Sequence, residues 1–239
     1  MKHLNFLEHS CCGCRKILDG DALALCPDCL KKWQAEYQAS AHYTMLHYDE
    51  GRRNLPVLAL GSYDSQVDSL TKKIVLAKKT RRVRDVDLFL GESMAHEVER
   101  YFHFREDEAV VIGVPRSRKN ILREGFDHVT GPARAMAETL RVPFSSALCR
   151  SGFTARADQK ELTFWGRILN AKESYAVELD KIEEISGRVC LLVDDVCTTG
   201  ASMCACADLL MAFGAADLLG VCFCLVQNHN YRKGRTSFA

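Results

Sequence analysis

The chain has no excess of either charge, no long hydrophobic run, no repeat and no nucleotide-binding glycine loop, and each absence removes a class of protein. Lys and Arg total 32 against 31 for Asp and Glu, a formal net charge of +1. No global field therefore draws the chain onto nucleic acid or an anionic membrane, and any basic surface is local. The longest apolar stretch, 218–226, covers nine residues, short of the ~20 that span a bilayer. The first ten residues mix Lys2, His3, Asn5 and Glu8 among apolar ones and form no signal-peptide hydrophobic region; a cytoplasmic location is expected. There is neither a Walker loop with its Gly-Lys-Ser/Thr nor a Gly-x-Gly-x-x-Gly after a strand, which excludes the commonest phosphate and dinucleotide motifs. With 239 residues, 47% hydrophobic and 26% charged, the chain suits one sizeable core and a small extra module, not a disordered or fibrous protein.

Cysteine, by contrast, is abundant, at 12 residues. A cytoplasmic setting disfavours structural disulfides, so position decides what these thiols do. Cys11, Cys14, Cys26 and Cys29 form two Cys-x-x-Cys turns. Each turn presents two sulfurs from one side, and four thiolates so spaced suit tetrahedral zinc, with iron the alternative for the same ligands. Gly13 eases the first turn and Pro27 pre-sets the second. The set leaves no open coordination position, so the role expected is structural, with Cys12 spare. Cys149, Cys190, Cys197, Cys204, Cys206, Cys222 and Cys224 sit in Val-, Leu- and Ala-rich segments and read as small buried hydrophobes.

A helical stretch over 30–38 leads to a polar segment ending near Gly51, Arg52, Arg53 and Pro56, where we place a boundary: a cysteine module over 1–50 and a larger domain over 51–239. In the larger domain short β-rich runs alternate with helical ones, the pattern of an α/β fold with a mostly parallel sheet. Strands are expected over 57–63, 109–115, 189–193 and 218–226. Helices are expected over 64–79, where Val67, Leu70, Ile74 and Ala77 recur at helical spacing, and over 86–102, 132–140 and 202–213, the last stopped by Gly214.

The most informative passage runs from the apolar 189–193 through Asp194 and Asp195 to Thr198, Thr199, Gly200, Ala201 and Ser202, and then into a helix. In an open α/β sheet ligands collect at the carboxyl ends of strands, where loop amides and the next helix dipole face one crevice. Thr198, Thr199 and Ser202 add hydroxyls and Gly200 lets the backbone come close, so 198–202 make a cradle for one phosphate monoester. Asp194 and Asp195 precede it, placed to accept from ribose hydroxyls and to help hold magnesium through water.

This segment resembles the phosphoribosyl diphosphate (PRPP) binding motif of type I phosphoribosyltransferases. Together with the four cysteines ahead of it, the chain looks like the ComF family of competence proteins, including the GntX-type relatives. In that family a Val-Pro-Val-Pro strand end leads through an Arg-rich loop to Arg-Gly-Phe-Asn-Gln; here Val114 and Pro115 are followed by Arg116, Arg118 and Lys119, then Glu124, Gly125, Phe126, Asp127 and His128. Glu124 stands for Arg, and Asp127 and His128 for Asn and Gln. A second family segment, Gln-x2-Leu-x4-Arg-x2-Asn, is matched by Gln159, Leu162, Arg167 and Asn170. The resemblance implies a type I phosphoribosyltransferase fold and PRPP with magnesium as ligand. It gives Asp194 and Asp195 catalytic and PRPP-binding roles, 198–202 the 5′-phosphate, and Val114, Pro115 and Arg116 the pyrophosphate. It also implies a closing loop after Arg150, in which Arg156 and Lys160 are either contacts to departing pyrophosphate or solvated charges.

Between Lys72 and Arg84 lie Lys72, Lys73, Lys78, Lys79, Arg81 and Arg82 with no acid among them. Such a run is ordinarily a solvated helix face, but ComF-like proteins keep this segment basic, and single-stranded DNA is the partner the resemblance implies. Three functions follow: a competence factor that binds PRPP and handles single-stranded DNA with a DNA-uptake helicase, an active phosphoribosyltransferase of nucleotide salvage or metabolism, and a PRPP sensor without turnover.

Overall fold

A computed structural model describes residues 10–18, 22–38, 43–48, 53–64, 67–80, 84–151 and 174–226. Apolar runs rich in Val, Leu and Cys, buried on both faces, make the centre of a seven-stranded sheet. Its strands are β1 (Tyr43–Tyr48), β2 (Arg53–Ala59), β3 (Ser62–Tyr63), β4 (Ala109–Gly113), β5 (Phe144–Ser145), β8 (Val189–Cys197) and β9 (Asp217–Val226). The order is β1-β2-β9-β8-β4-β5, with β3 also on β9. Every pairing is parallel except β1 on β2. A second, antiparallel pair, β6 (Leu148–Arg150) and β7 (Tyr175–Val177), is not hydrogen-bonded into this sheet. The helices are α1 (Pro27–Gln38), α2 (Leu70–Thr80), α3 (Arg84–Tyr101), α4 (Arg118–Glu124), α5 (Thr130–Leu140), α6 (Ile182–Ile185) and α7 (Ala201–Ala212). Among the described residues no helix is long and apolar enough to cross a membrane.

Three elements differ from the sequence expectation. The strand over 57–63 divides into β2 and β3 around Leu60 and Gly61, whose backbone bonds to Cys222 and Leu225 continue the ladder on β9. The helix over 64–79 begins only at Leu70, because the Ser69 hydroxyl accepts from Lys72 N–H and stops the chain from winding earlier, leaving Val67 exposed outside it. The strand over 189–193 runs on to Cys197, pairing Val196 with Cys224 and Cys197 with Leu225, so both acids lie within the strand. β1, on the amino-terminal side of the expected boundary, is the edge strand of the main sheet.

The two sheet faces carry two cores. One joins Leu191, Val193 and Phe223 to α3 and α5 and also takes in Cys11, Cys12, Cys29 and Trp33. The other joins Cys190, Leu192 and Cys222 to Met203 and Leu210 of α7 and to Tyr175. Six of the seven later cysteines are buried and Cys149 is half-buried, so they pack as expected. Trp33 of α1 stacks on Phe223 at 6.3 Å between ring centres and meets Phe89 edge-on at 5.2 Å, which seats α1 on the sheet.

Glu36 of α1 completes that docking. Its carboxylate accepts from Leu70 N–H at 2.9 Å and reaches Thr71 N–H, meeting the unsatisfied donors and positive dipole end of α2. Glu36→Ala should cost about 1 kcal/mol, the usual worth of a helix cap, and lower Tm by roughly 2–4 °C; an unchanged melting curve would show that these bonds carry no stability.

Candidate functional site

The parallel pairing of β4 with β8 brings two strand ends together. Val114 N–H donates to the Val193 carbonyl at 2.8 Å, adding one rung, and the chain then turns out through Pro115 and Arg116. Beside it β8 delivers Asp194 and Asp195, then the Thr198–Gly200 loop, then the first turn of α7. The loops expected to hold pyrophosphate, ribose and 5′-phosphate thus share one edge of the sheet.

Strand alternation separates the two acids. Asp195 shares the face of Leu191 and Val193, while Asp194 shares that of Cys190 and Leu192. Asp195 Oδ2 accepts from Arg116 Nη1 at 3.0 Å and its Oδ1 from Val196 N–H at 2.7 Å. Asp194 Oδ1 accepts from Asp195 N–H at 2.9 Å. Burial, reinforced by Asp195, pushes the Asp194 carboxyl well above its ordinary value. The Asp195 side chain is 15% exposed.

In the 198–202 loop Ala201 N–H donates to the Thr199 hydroxyl at 3.3 Å. Gly200 takes φ 73° and has no side-chain cap above the first amides of α7. Leu46 of β1 lies over it: a Cβ there would fall 2.4 Å from Leu46 Cδ1. Glycine is required by both the left-handed turn and this close cover.

The altered Glu124–His128 segment explains itself in three dimensions. Ser117 caps α4 by accepting from Asn120 N–H, and Gly125, at φ 83°, closes it. That short helix returns Glu124 to Arg116, whose Nη2 donates to Glu124 Oε2 at 2.8 Å. Glu124 also accepts from Arg123 at 3.0 Å and pairs with His128 Nε2 at 2.7 Å. Asp127 turns the chain into α5, accepting from Val129 N–H and the Thr130 hydroxyl. Glu124 and His128 thus replace Arg and Gln as a matched pair, and Arg116 spans two carboxylates. Neither Glu124 nor His128 was singled out as a site residue; their departure from the family pattern was the available signal.

Burial raises the Glu124 carboxyl, but the Arg123 hydrogen bond, the Arg116 charge and His128 outweigh it and hold the group below its ordinary 4.5. Burial, helped by Arg116 and opposed by Asp195 and Glu124, holds His128 below its ordinary 6.5. A neutral imidazole whose Nε2 faces a carboxylate carries its proton there. Both folded-state values lie below the unfolded ones, so the unfolded chain binds more protons and stability is lost as the pH is lowered. The loss should begin near pH 6.5 with His128 and deepen below pH 4.5 with Glu124. In Tm measured against pH, His128→Gln should flatten the upper part of that fall; an identical slope would remove His128 from it.

Among the described residues of the basic run, Lys78 turns inward. Lys78 is buried and its amine pairs with Asp87 of α3, 5.7 Å from the Phe126 ring centre. Burial lowers it to about 8, against Asp127 and Asp195. The expectation of Lys78 as a DNA contact is corrected accordingly: its charge is spent inside the fold. Lys72 and Lys73 are half-buried, and Lys73 pairs with Asp68 at 3.0 Å. The Lys79 side chain, Arg81 and Arg82 lie outside the described residues, as do Arg156, Gln159, Lys160, Leu162, Arg167 and Asn170.

The sulfurs of Cys11, Cys14, Cys26 and Cys29 all lie within 4.8 Å of one another. Cys14 and Cys26 are 3.7 Å apart, close to the ~3.8 Å edge of a tetrahedron with Zn–S bonds of ~2.3 Å. Gly13 fits the knuckle because a Cβ would meet Cys29 Sγ and Leu70 Cδ2, both at 2.7 Å. Burial opposes ionisation of Cys11, yet backbone N–H groups of Cys14, Cys26 and Gly13 bring it down to about 7, while burial and the other thiols push Cys29 up to about 12. Four thiols this close ionise together only around a cation, so the donor set fits zinc.

Residues 122–237, just under half of the chain, match the phosphoribosyl transferase domain. The chain is 27% identical over 176 residues to the ribose-phosphate pyrophosphokinase of Marinomonas sp. (strain MWYL1), covering 70% of this chain and 51% of that protein. It is 31% identical over 115 residues to the DNA utilization protein YhgH of Escherichia coli O157:H7, 48% of each. The chain therefore spans about half the length of these two relatives. Against the adenine phosphoribosyltransferase of Saccharomyces cerevisiae the TM-score is 0.37 at 17% identity, over 87% of this chain and 95% of that one. Through its 122–237 match and its mostly parallel, helix-flanked sheet, the chain carries a phosphoribosyl transferase domain on a type I phosphoribosyltransferase fold, preceded by a four-cysteine cluster.

Proposed function

We propose that the chain is a ComF-like protein of the cytoplasm that binds PRPP with magnesium and serves DNA uptake by handling single-stranded DNA beside a helicase. The observation that carries the PRPP reading is the meeting of the Val114–Arg116 loop with Asp195 and the 198–202 loop at adjoining strand ends, with Arg116 bonded to Asp195 at 3.0 Å. In this reading Asp195 accepts from the ribose hydroxyls and 198–202 take the 5′-phosphate through hydroxyls and helix amides. Bound magnesium supplies charge neutralisation for the diphosphate, held through water by the strand-end acids. The DNA part leans on the likeness to a DNA utilization protein and on Lys72 and Lys73, not on Lys78. The four cysteines hold one zinc as a structural element.

Calorimetric titration with PRPP and magnesium tests the first part: saturable binding is expected, and its absence overturns it. A labelled single-stranded oligonucleotide tests the second: affinity should fall steeply as salt rises, and no binding at low salt would leave a phosphoribosyl site without the DNA role.

A further inference from the structure

Arg116 is already taken up by two carboxylates, which raises the question of which arginine is open to an anion. Arg150, at the end of β6, lies opposite Tyr175 of β7 in the antiparallel pair, its guanidinium 4.5 Å from the Tyr175 ring centre. Its Nη1 is buried and, among the described residues, has no hydrogen-bond partner. A buried guanidinium donor left unpaired is costly and calls for an acceptor. Tyr175, kept protonated by burial that lifts it to about 12, hydrogen-bonds Ser202 of the 198–202 loop, and the Arg150 charge is felt at Cys206, one turn further along α7. Tyr175 shares one core with Met203 and Leu210 of α7, so the stacked guanidinium lies on the α7 side of the sheet, and the amino-terminal end of that helix dipole is positive.

We infer that Arg150, stacked on Tyr175, is a further ligand of the phosphate monoester held by residues 198–202, and that Arg116 serves mainly to hold Asp195 and Glu124. The inference rests on reading 198–202 as a phosphate cradle and adds to it Arg150, whose Nη1 has no partner among the described residues. A guanidinium gives two parallel donors to phosphate oxygens, and the Tyr175 ring fixes its plane.

The test is titration of wild type and Arg150→Gln with ribose 5-phosphate, ribose, and pyrophosphate with magnesium. Loss of a charged hydrogen bond should weaken ribose 5-phosphate about tenfold or more and change pyrophosphate much less. Arg150→Lys, which keeps a charge over Tyr175 but not the fork, should fall between the two, and carries the test if the Gln variant does not fold. Equal ribose 5-phosphate affinity in wild type and Arg150→Gln, or an equal loss for pyrophosphate, would overturn the inference. Should wild type bind ribose 5-phosphate through Arg150 but not PRPP, the PRPP reading fails and this one stands. Should it bind neither ribose 5-phosphate nor PRPP, both fall.

Discussion

Asp195→Asn is expected to abolish saturable binding of PRPP with magnesium in a calorimetric titration, a loss of about 100-fold or more. Asp195 is the acid bonded to Arg116, and the substitution removes its charge from the proposed ribose and metal side while releasing Arg116 from one of its two carboxylates. Hydrogen bonds to charged groups contribute about 1.5–3 kcal/mol each, and losing two reaches that range. The fold should survive, because an asparagine oxygen still accepts from Val196 N–H, the bond Asp195 makes now. Asp194→Asn should cost less: that carboxyl lies on the other face of β8 and is driven toward its neutral form by burial and by Asp195. Equal loss in the two variants would mean that both acids reach the ligand; full binding by Asp195→Asn would remove this residue from the site.

Cys26→Ser is expected to lose the metal and, with it, much of the stability of the whole chain. Wild type should carry about one zinc, measured by mass spectrometry under native conditions. Binding free energies of structural zinc reach about 10–16 kcal/mol in small zinc modules, and one absent thiolate removes a large part of that. The effect should spread beyond the first thirty residues. Cys11, Cys12, Cys29 and Trp33 belong to the same core as Leu191, Val193 and Phe223, and Glu36 caps α2 from α1. Unfolding the knuckles therefore exposes Trp33, buried between Phe89 and Phe223, and a red shift of tryptophan emission should accompany the fall in Tm. A variant that kept a full equivalent of zinc would defeat the assignment of Cys26 as a ligand.

Features carried by neighbours in the chain were legible without coordinates. Two Cys-x-x-Cys turns read as a cluster, and their sulfurs converge. The passage from an apolar strand through two acids to a hydroxyl and glycine loop read as a strand end feeding a helix, and it is one. The element ends that moved did so through single contacts: Ser69 at α2 and the ladder from β8 to β9 out to Cys197. Long-range chemistry was hidden. A lysine in a run of cations looks solvated, yet Lys78 pairs inward with Asp87 because the phase of α2 turns that position toward α3.

Sequence by itself therefore determined the class of fold, the cysteine cluster and the place of the hydroxyl and glycine loop between a strand and a helix, because each is written in residues a few positions apart whose backbone geometry is local. Only the tertiary structure decided that Asp195 and not Asp194 faces Arg116, that Glu124 and His128 form a matched pair holding that arginine, and that Arg150 stacks on Tyr175 with a donor unpaired among the described residues. Strand alternation and the packing of β4, β8 and α7 set those partners, and such pairings join residues tens of positions apart that no local pattern connects.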